Sequence, residues 1–256
     1  MKNIFVVILV LTVSTCFGQK ELKKLKKAYK DKSQSQLESF LQQWQSESKP
    51  LASLDSLSDL HKDVYQIYKD FYNPFNLSRV GSGEWGDSLY AGIDYVIIQN
   101  QLVINWYKTD TLNFWRHTNT DSLIMSKETV SNFRPDITFE QAKTLYLFPQ
   151  YSKMINKFLG SKSYPLGFGG IMNPSRAKGE SEERLDFLNE KLMIIHGHWG
   201  GYWHIATHPY VYSIEFNKDR TIATVNFRLG YQGGSATYIK KDGKWEMKQA
   251  GLTWIE

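Results

Sequence analysis

The stretch that decides the fold is TIATVNFRLGYQGGSATYIKKDGKW, residues 221–245. Its first half alternates apolar and polar side chains, which is the pattern of a β-strand with one buried face. The apolar positions, expected to face the core, are Ala223, Val225 and Phe227. The polar positions, expected to face solvent, are Thr224, Asn226 and Arg228. Because Asp242 followed by Gly243 is a strong signal for a two-residue hairpin turn, the stretch predicts adjacent antiparallel strands.

The alternation continues on both sides of this stretch, so the last third of the chain is predicted to be a meander of strands. The predicted strands cover 191–197, 201–207, 210–217, 221–229, 235–240 and 244–254. Glycine, proline and Asp-containing steps separate them, including a predicted turn over 230–234. A helix is predicted near 180–189, directly before the meander.

The first part of the chain has the period of a helix instead. Apolar residues recur there at steps of three and four, and the clearest run is Leu57, Leu60, Val64, Ile67 and Phe71. A proline at position 74 ends that run, because the residue before a proline avoids the helical conformation. Residues 20–75 are therefore predicted to form helices whose apolar stripes belong to the core.

Two further strands are predicted between the helices and the meander. Residues 93–106 alternate on either side of Asn100, which predicts a β-hairpin that turns at that residue. Residues 112–117 are predicted to add a third strand.

Short helices are predicted after these strands. The sequence Thr-Phe-Glu-Gln at 138–141 is a capping box and predicts a short helix that ends at Pro149. A second helix is predicted over 151–159 with Gly160 as its C-cap, and residues 161–179 are predicted to form a glycine-containing surface loop.

Together these patterns predict an α+β fold, with N-terminal helices followed by an antiparallel, curled β-sheet meander packed on a helix. The predicted organisation is a signal peptide at 1–18, a helical region at 19–80 and a mainly β region at 81–256. We expect the last two regions to form one structural unit.

The first eighteen residues have the layout of a secretory signal. A basic start is followed by an apolar run from Ile4 to Val13 and then by small and polar residues up to Gly18. This run is too short to span a bilayer of about 30 Å as a helix. The sequence therefore predicts export to the periplasm or the exterior, with lipidation at Cys16 as the alternative, since Val-Ser-Thr-Cys resembles a loose lipobox.

Composition excludes several classes of protein. Hydrophobic residues make up 41% and charged residues 22%, which is globular rather than disordered or coiled-coil composition. The one cysteine lies at position 16, so thiol mechanisms, iron–sulfur ligation and cysteine-based zinc sites are excluded from the mature chain. The excess positive charge is concentrated in five lysines within 20–27, typical of a solvated helix face and not of a nucleic-acid surface, so we expect no nucleic-acid partner.

The candidate site is the segment HGHWGGYWHIATH, residues 196–208, which holds four of the six histidines. Histidines two apart on a strand project from one face and can share a metal, and three of them with an open fourth position suit catalytic zinc. The candidate metal ligands are His196, His198, His204 and His208. Trp199, Tyr202 and Trp203 are the candidate ligand-binding residues. The same pattern also fits a packed aromatic hairpin in which the histidines are core residues.

The end of the chain resembles the last part of nuclear-transport-factor-2-like cone domains. The resemblance covers about the last seventy residues and depends on Ala-x-Val-x-Phe at 223–227, Gly-Gly-x-Ala-x-Tyr at 233–238 and Asp-Gly-Lys-Trp at 242–245. It implies a curled sheet but no activity, since that family contains both enzymes and binding domains. The whole chain, which ends in Leu-Thr-Trp-Ile-Glu, also resembles a class of secreted bacterial proteins from which no activity carries over.

A second resemblance concerns the histidines. His-Gly-His-Trp-Gly at 196–200 is similar to the His-x-His-Trp-Gly strand of α-type carbonic anhydrases, in which both histidines hold catalytic zinc. The Glu-x-His-x-x-His segment of that family does not follow here, and the helical N-terminal part does not belong to its fold.

Two functions remain open from the sequence. No Gly-x-Ser-x-Gly elbow and no His-Glu-x-x-His helix occurs, so the first expectation is a non-enzymatic binding or accessory module without a cofactor, whose partner is a small molecule or a protein. The alternative is a zinc-dependent hydrolase or lyase that uses His196, His198 and His204. A pocket that joins these histidines to an acid such as Glu215 would favour the enzyme.

Overall fold

The computed structural model describes residues 19–81, 86–112, 123–160, 180–196 and 203–255. Within them the chain forms an α+β fold, which confirms the predicted class. The helices are α1 (19–30), α2 (Gln34–Glu47), α3 (Asp59–Phe71), α4 (Pro149–Leu159) and α5 (Glu180–Asn189), with a 3₁₀ turn at Leu77–Val80. No helix in these ranges is both long enough and apolar enough to cross a membrane.

Most of the strands belong to one open sheet. Its order is β10-β9-β8-β7-β2-β3, and all neighbours are antiparallel except β2 and β7. Its strands are β2 (Gln101–Tyr107), β3 (Ile124–Ser131), β7 (Tyr210–Phe216), β8 (Ile222–Leu229), β9 (Gln232–Lys241) and β10 (Lys244–Ile255). Two small sheets pair β1 (Tyr95–Gln99) with β4 (Lys143–Leu147) and β5 (Ile195–His196) with β6 (Trp203–His204).

Four of the six strands predicted for the last third form the meander. In the described residues, the strands predicted at 191–197 and 201–207 are reduced to β5 and β6, which pair in a separate small sheet. Strands β7 to β10 run antiparallel in sequence order, and the hairpin at Asp242 and Gly243 has the two positive φ angles, 49° and 78°, that its turn type requires. The predicted turn over 230–234 is shorter than expected, because Gly233 and Gly234 lie inside β9.

The hairpin predicted at Asn100 is wrong. β1 pairs in parallel with β4, whereas β2 continues into the large sheet, so the chain changes sheets at that residue. The backbone carbonyl of Asn100 accepts a hydrogen bond from the backbone N–H of Phe133 at 2.8 Å. The side-chain amide of Asn100 donates to the backbone carbonyl of Phe133 at 3.1 Å. The physical reason is that β1 is buried on both faces and therefore needs packing partners on each side. A strand of a half-exposed hairpin needs partners on one side only.

β1 divides the interior into two clusters. Val96 and Ile98 face the cluster that α3 forms with the large sheet, whereas Tyr95 and Ile97 face the cluster formed with α1, α2, α4 and α5. The predicted stripe of α3 is confirmed, since Val64, Ile67 and Phe71 are buried in the first cluster.

The capping box at 138–141 does not open a helix. No helix forms between β3 and β4, and Pro149 begins α4 instead of ending a helix. Leu145 and Tyr146 are fully buried as strand residues, and the burial of these side chains outweighs the local capping signal. A proline suits the first turn of α4, because the N–H that it lacks would have no helical partner there. The predicted C-cap is confirmed, since Gly160 has a φ of 72°.

The polar face of β8 is not exposed as predicted. Ala223, Val225 and Phe227 are fully buried, in agreement with the alternation, but Thr224 and Arg228 are also buried, at 4% and 6% exposure. Alternation predicts which residues share a face and does not show whether that face is covered. The remaining sequence predictions lie outside the described residues: the signal peptide, most of the strand at 112–117 and the loop at 161–179.

Candidate functional site

A cleft of about 280 Å³ opens between α4 and the chain segment 203–212. Leu147 at the end of β4 and Ser152 and Asn156 on α4 form one side of it. The other side consists of segment 203–212, and Arg228 of β8 completes the lining. The cleft therefore lies where the small sheet of β1 and β4 meets the large sheet.

Segment 203–212 is held in place by the free edge of β1. The backbone N–H of Thr207 donates to the Ile97 carbonyl at 2.8 Å, and its hydroxyl accepts the Ile97 N–H at 2.9 Å. The side-chain amide of Gln99 both donates to the Val211 carbonyl and accepts the Val211 N–H, each at 2.8 Å. Side-chain hydrogen bonds thus replace a strand ladder here and leave the neighbouring side chains to line the cleft.

His208 is held in the cleft through both its backbone and its ring. It is fully buried, and its backbone N–H donates to the Tyr90 hydroxyl at 3.0 Å. Its Nδ1 accepts a hydrogen bond from the backbone N–H of Gly230 at 3.1 Å, so the neutral imidazole carries its proton on Nε2. Among the described residues, Nε2 has no hydrogen-bond partner.

The charge state of His208 follows from its surroundings. Burial holds the pKa of the imidazole well below its usual value, and the nearby His204 and Arg228 lower it further. His208 is therefore neutral at physiological pH and presents an N–H donor. A buried donor without a partner costs about 1–3 kcal/mol, so such a group in a native structure marks a place where another molecule can contribute an acceptor.

Arg228 lies in a row of four residues across four strands. Tyr210 on β7 is opposite Arg228, which is opposite Gly233 on β9, which in turn is opposite Trp254 on β10. Residues in directly opposite positions share a face, so this row lies on the polar face of β8.

Gly233 makes this row possible. A Cβ atom at that position would lie 2.1 Å from the Trp254 ring, so only glycine lets the indole approach the strand this closely. The guanidinium carbon of Arg228 is 5.7 Å from the centre of that ring, within the range of a cation–π contact. Trp254 thus fixes the direction of a cation that also lines the cleft.

The rest of the lining is largely aromatic and apolar. The rings of Tyr210 and Tyr212 meet edge to face at 5.8 Å, and Trp203 lies on the same side of the cleft. A β-bulge between Val211 and Ser213 places Tyr212 opposite no residue of β8. Bulges of this kind redirect side chains next to binding sites. Among the described lining residues, Arg228 is the only side chain with a permanent charge and none is a carboxylate.

The structure brings together part of the predicted site. Trp203, His204 and His208 all line the cleft, and the rings of the two histidines are 5.2 Å apart. The backbone of His196 pairs with that of Trp203, which places β5 beside the segment. The side chain of His196 and the whole of His198, Trp199 and Tyr202 lie outside the described residues, so their part in a site stays a prediction.

The geometry of the described residues bears on whether the cleft can hold a metal ion. Within the part of the chain that the structure describes, no three His, Cys, Asp or Glu side chains are arranged to share a metal ion. A zinc-bound imidazole offers a lone pair, usually while its other nitrogen donates, whereas His208 accepts at Nδ1 and carries its proton on Nε2. Glu215 contacts Asn105 and Tyr107 through its carboxylate and does not line the cleft.

Sequence reasoning missed three functional residues: Arg228, Tyr210 and Tyr212. Strand alternation assigned Arg228 to solvent, whereas the two tyrosines lie in the predicted strand over 210–217 and received no role. The available signal was the glycine pair at 233–234 inside a strand, because glycine in a strand marks close approach of another group. Paired with the tryptophan at 254, it indicates a packed row on the face of Arg228.

Comparison with known proteins adds no assignment. No protein-family model, curated protein or solved structure matches the chain. The resemblance to nuclear-transport-factor-2-like domains and to a class of secreted proteins therefore remains a prediction from sequence, and the function has to be argued from the cleft.

Proposed function

We propose that the protein is an exported, non-enzymatic binding module that holds a small molecule in the cleft between α4 and segment 203–212. The observation that carries the proposal is His208, a fully buried imidazole that lines the cleft and whose Nε2–H has no acceptor among the described residues. A cleft of 280 Å³ is at the small end of ligand pockets, which suits a metabolite-sized molecule.

The test uses a panel of single-ring compounds, each with one hydrogen-bond acceptor, measured by saturation-transfer NMR. The informative variant is His208→Asn, because the asparagine Oδ1 occupies the position of Nδ1 and still accepts the Gly230 N–H, while the Nε2–H is lost. His61→Asn is the matched control, since His61 contacts Glu128 and neither residue lines the cleft. We expect at least one compound to bind the native protein and the control, and to lose about tenfold or more in affinity for His208→Asn. Binding that is equal in all three proteins, or absent from all, would contradict the proposal.

The proposed location depends on the first eighteen residues. Their basic start, apolar run and small-residue end support cleavage after Gly18. Intact-mass measurement of the protein from its native host should show loss of residues 1–18, whereas a diacyl increment on Cys16 would indicate a lipoprotein and a full-length cytosolic product would contradict export.

A zinc-dependent hydrolase or lyase is the second candidate, and the observation in its favour is the 5.2 Å separation of the His204 and His208 rings. In this hydrogen-bonding state His208 does not fit as an Nε2 ligand, so the metal would depend on His196, His198 and His204. Calorimetric titration with zinc at pH 7.5 tests this candidate. A stoichiometric site that His196→Ala and His198→Ala abolish, and that His61→Ala and His117→Ala leave intact, would support it. Weakening of that site below about pH 6 would be required, because protons compete for imidazole ligands.

A further inference from the structure

We infer that the ligand of the cleft is a small aromatic monocarboxylate, held by the guanidinium of Arg228 and by the Nε2–H of His208. This inference depends on the proposed binding function and specifies its ligand class. It combines three features of the described residues: the charge of the lining, the placement of its donors and the nature of its walls.

The charge of the cleft favours an anion. Arg228 is only 6% exposed, lines the cleft and keeps its positive charge at any physiological pH. The described lining residues include no carboxylate. Arg228 is also close enough to His208 to lower the pKa of that imidazole, so its field extends through the part of the cleft where the second donor lies.

The donors suit the two oxygens of one carboxylate. Arg228 and His208 both line the cleft, and their chain segments are joined, because Tyr210 is opposite Arg228 and the N–H of Gly230, two residues after Arg228, donates to His208. A guanidinium fork and a single neutral N–H can serve a planar group with one charge and two acceptor atoms. A phosphate dianion would bring a second charge and a third oxygen, for which the described lining residues offer no second cation.

The walls suit an aromatic ring. Tyr210, Tyr212 and Trp203 border the cleft, and the two tyrosine rings already adopt the edge-to-face arrangement that aromatic groups prefer. The volume of 280 Å³ leaves room for one ring system and a short acidic side chain.

Trp254 acts here as a positioning residue. It does not line the cleft, but its ring lies against Gly233 and the guanidinium carbon of Arg228 lies over that ring, 5.7 Å from its centre. A change that displaces Trp254 should therefore weaken the preference for acids more than it weakens the binding of neutral compounds.

The experiment is calorimetric titration at pH 7 with phenylacetate, phenylacetamide and phenyl phosphate. We expect phenylacetate to bind at least about tenfold more tightly than the isosteric amide, since hydrogen bonds to a charged group are the stronger ones. Arg228→Gln should reduce the ratio of acid to amide affinity to near one. Arg228→Lys should leave it between these values, because lysine keeps the charge but loses the fork and the stacking.

The matched control is Arg220→Lys. Arg220 also lies over a tryptophan, with its guanidinium carbon 5.8 Å from the centre of the Trp106 ring, but it contacts Asp63 and does not line the cleft. This variant should keep the full ratio, and thermal unfolding of each variant verifies that it is folded.

The outcomes distinguish a wrong ligand class from a wrong binding function. If the amide binds as tightly as the acid and both depend on His208, the carboxylate assignment is wrong and the binding function stands. If the phosphate binds more tightly than the acid, the ligand is a dianion and the assignment is also wrong. If none of the three probes binds while a compound of the single-ring panel does, the ligand class is wrong and the binding function stands. If no compound of either set binds, both are contradicted.

Discussion

The two faces of β8 are both largely buried, yet they are built in opposite ways. On one face Val225 and Phe227 are fully buried in apolar surroundings, with the Phe227 ring 5.2 Å from that of Phe71. On the other face Asn226 donates to the Ser213 hydroxyl at 3.1 Å and accepts from the Ser235 hydroxyl at 2.9 Å. The first face contributes to stability through burial of apolar area. The second contains polar side chains, several of which are hydrogen-bonded to one another, and the cleft opens where this face reaches Arg228.

Within this one strand, the apolar face contributes to folding stability and the polar face leads to the candidate ligand site. A core face tolerates polar substitution poorly, whereas a buried polar face is retained at a cost in stability when it serves a ligand. Substitutions on the two faces of β8 are therefore expected to have different consequences.

The largest effect is expected from Phe227→Ala. This change removes a fully buried ring that packs on α3 and should lower the free energy of unfolding by about 3–5 kcal/mol. Chemical denaturation measures it. The matched change on the other face is Thr224→Val, which removes a buried hydroxyl without a hydrogen-bond partner among the described residues and keeps the shape. It should be neutral or slightly stabilising. Equal losses from both substitutions would contradict the distinction between the faces.

An intermediate effect is expected from Gly233→Ala. Its Cβ atom would overlap the Trp254 ring, so the ring has to move, at a cost of about 1–3 kcal/mol for overpacking. The control is Gly92→Ala, where a Cβ atom meets nothing within 4 Å. Thermal unfolding should show a lower midpoint for the first variant and little change for the second. The first variant should also lose the preference for acids over amides, and retention of that preference would show that Trp254 does not position Arg228.

The smallest effect concerns pH. The pKa of His208 is lowered by burial first and by His204 and Arg228 second, so the unfolded chain binds a proton that the folded chain does not. Stability should therefore fall as the pH drops below the unfolded value of about 6.5, by on the order of 1 kcal/mol between pH 7 and 5.5. Chemical denaturation at several pH values measures how the free energy of unfolding changes with pH. His208→Asn should remove the contribution of His208 to this change. An unchanged pH dependence in that variant would indicate that the imidazole is not buried and neutral.

The sequence predicted the apolar face better than the polar one, and the reason is physical. Alternation identified the inward positions of β8, and Asp242 with Gly243 identified the hairpin, because both depend on local conformation. The predictions of a hairpin at Asn100 and of a helix from 138–141 were wrong. The conformations of β1 and β4 depend on burial between two clusters whose residues are distant in sequence.

The site was predictable only in part for a related reason. The cluster of histidines and aromatic residues predicted a site in the segment 196–208. Three of its residues, Trp203, His204 and His208, line the cleft. The pattern favoured metal ligands because it cannot show tautomers, which depend here on the Gly230 N–H. The contribution of Arg228 depends on neighbours across three strand pairings, and no linear pattern contains that information.

The most direct test of the account is long-range ¹H–¹⁵N NMR of the His208 imidazole, recorded from pH 5 to 8 with and without phenylacetate. We expect a ring that carries its proton on Nε2 and stays neutral well below pH 6.5, because burial lowers the pKa of the ring and Nδ1 accepts the Gly230 N–H. We also expect the Nε2 proton to shift downfield when the acid binds. A ring that titrates near pH 6.5, carries its proton on Nδ1, or is unaffected by the acid would contradict the assignment of this face as a binding site.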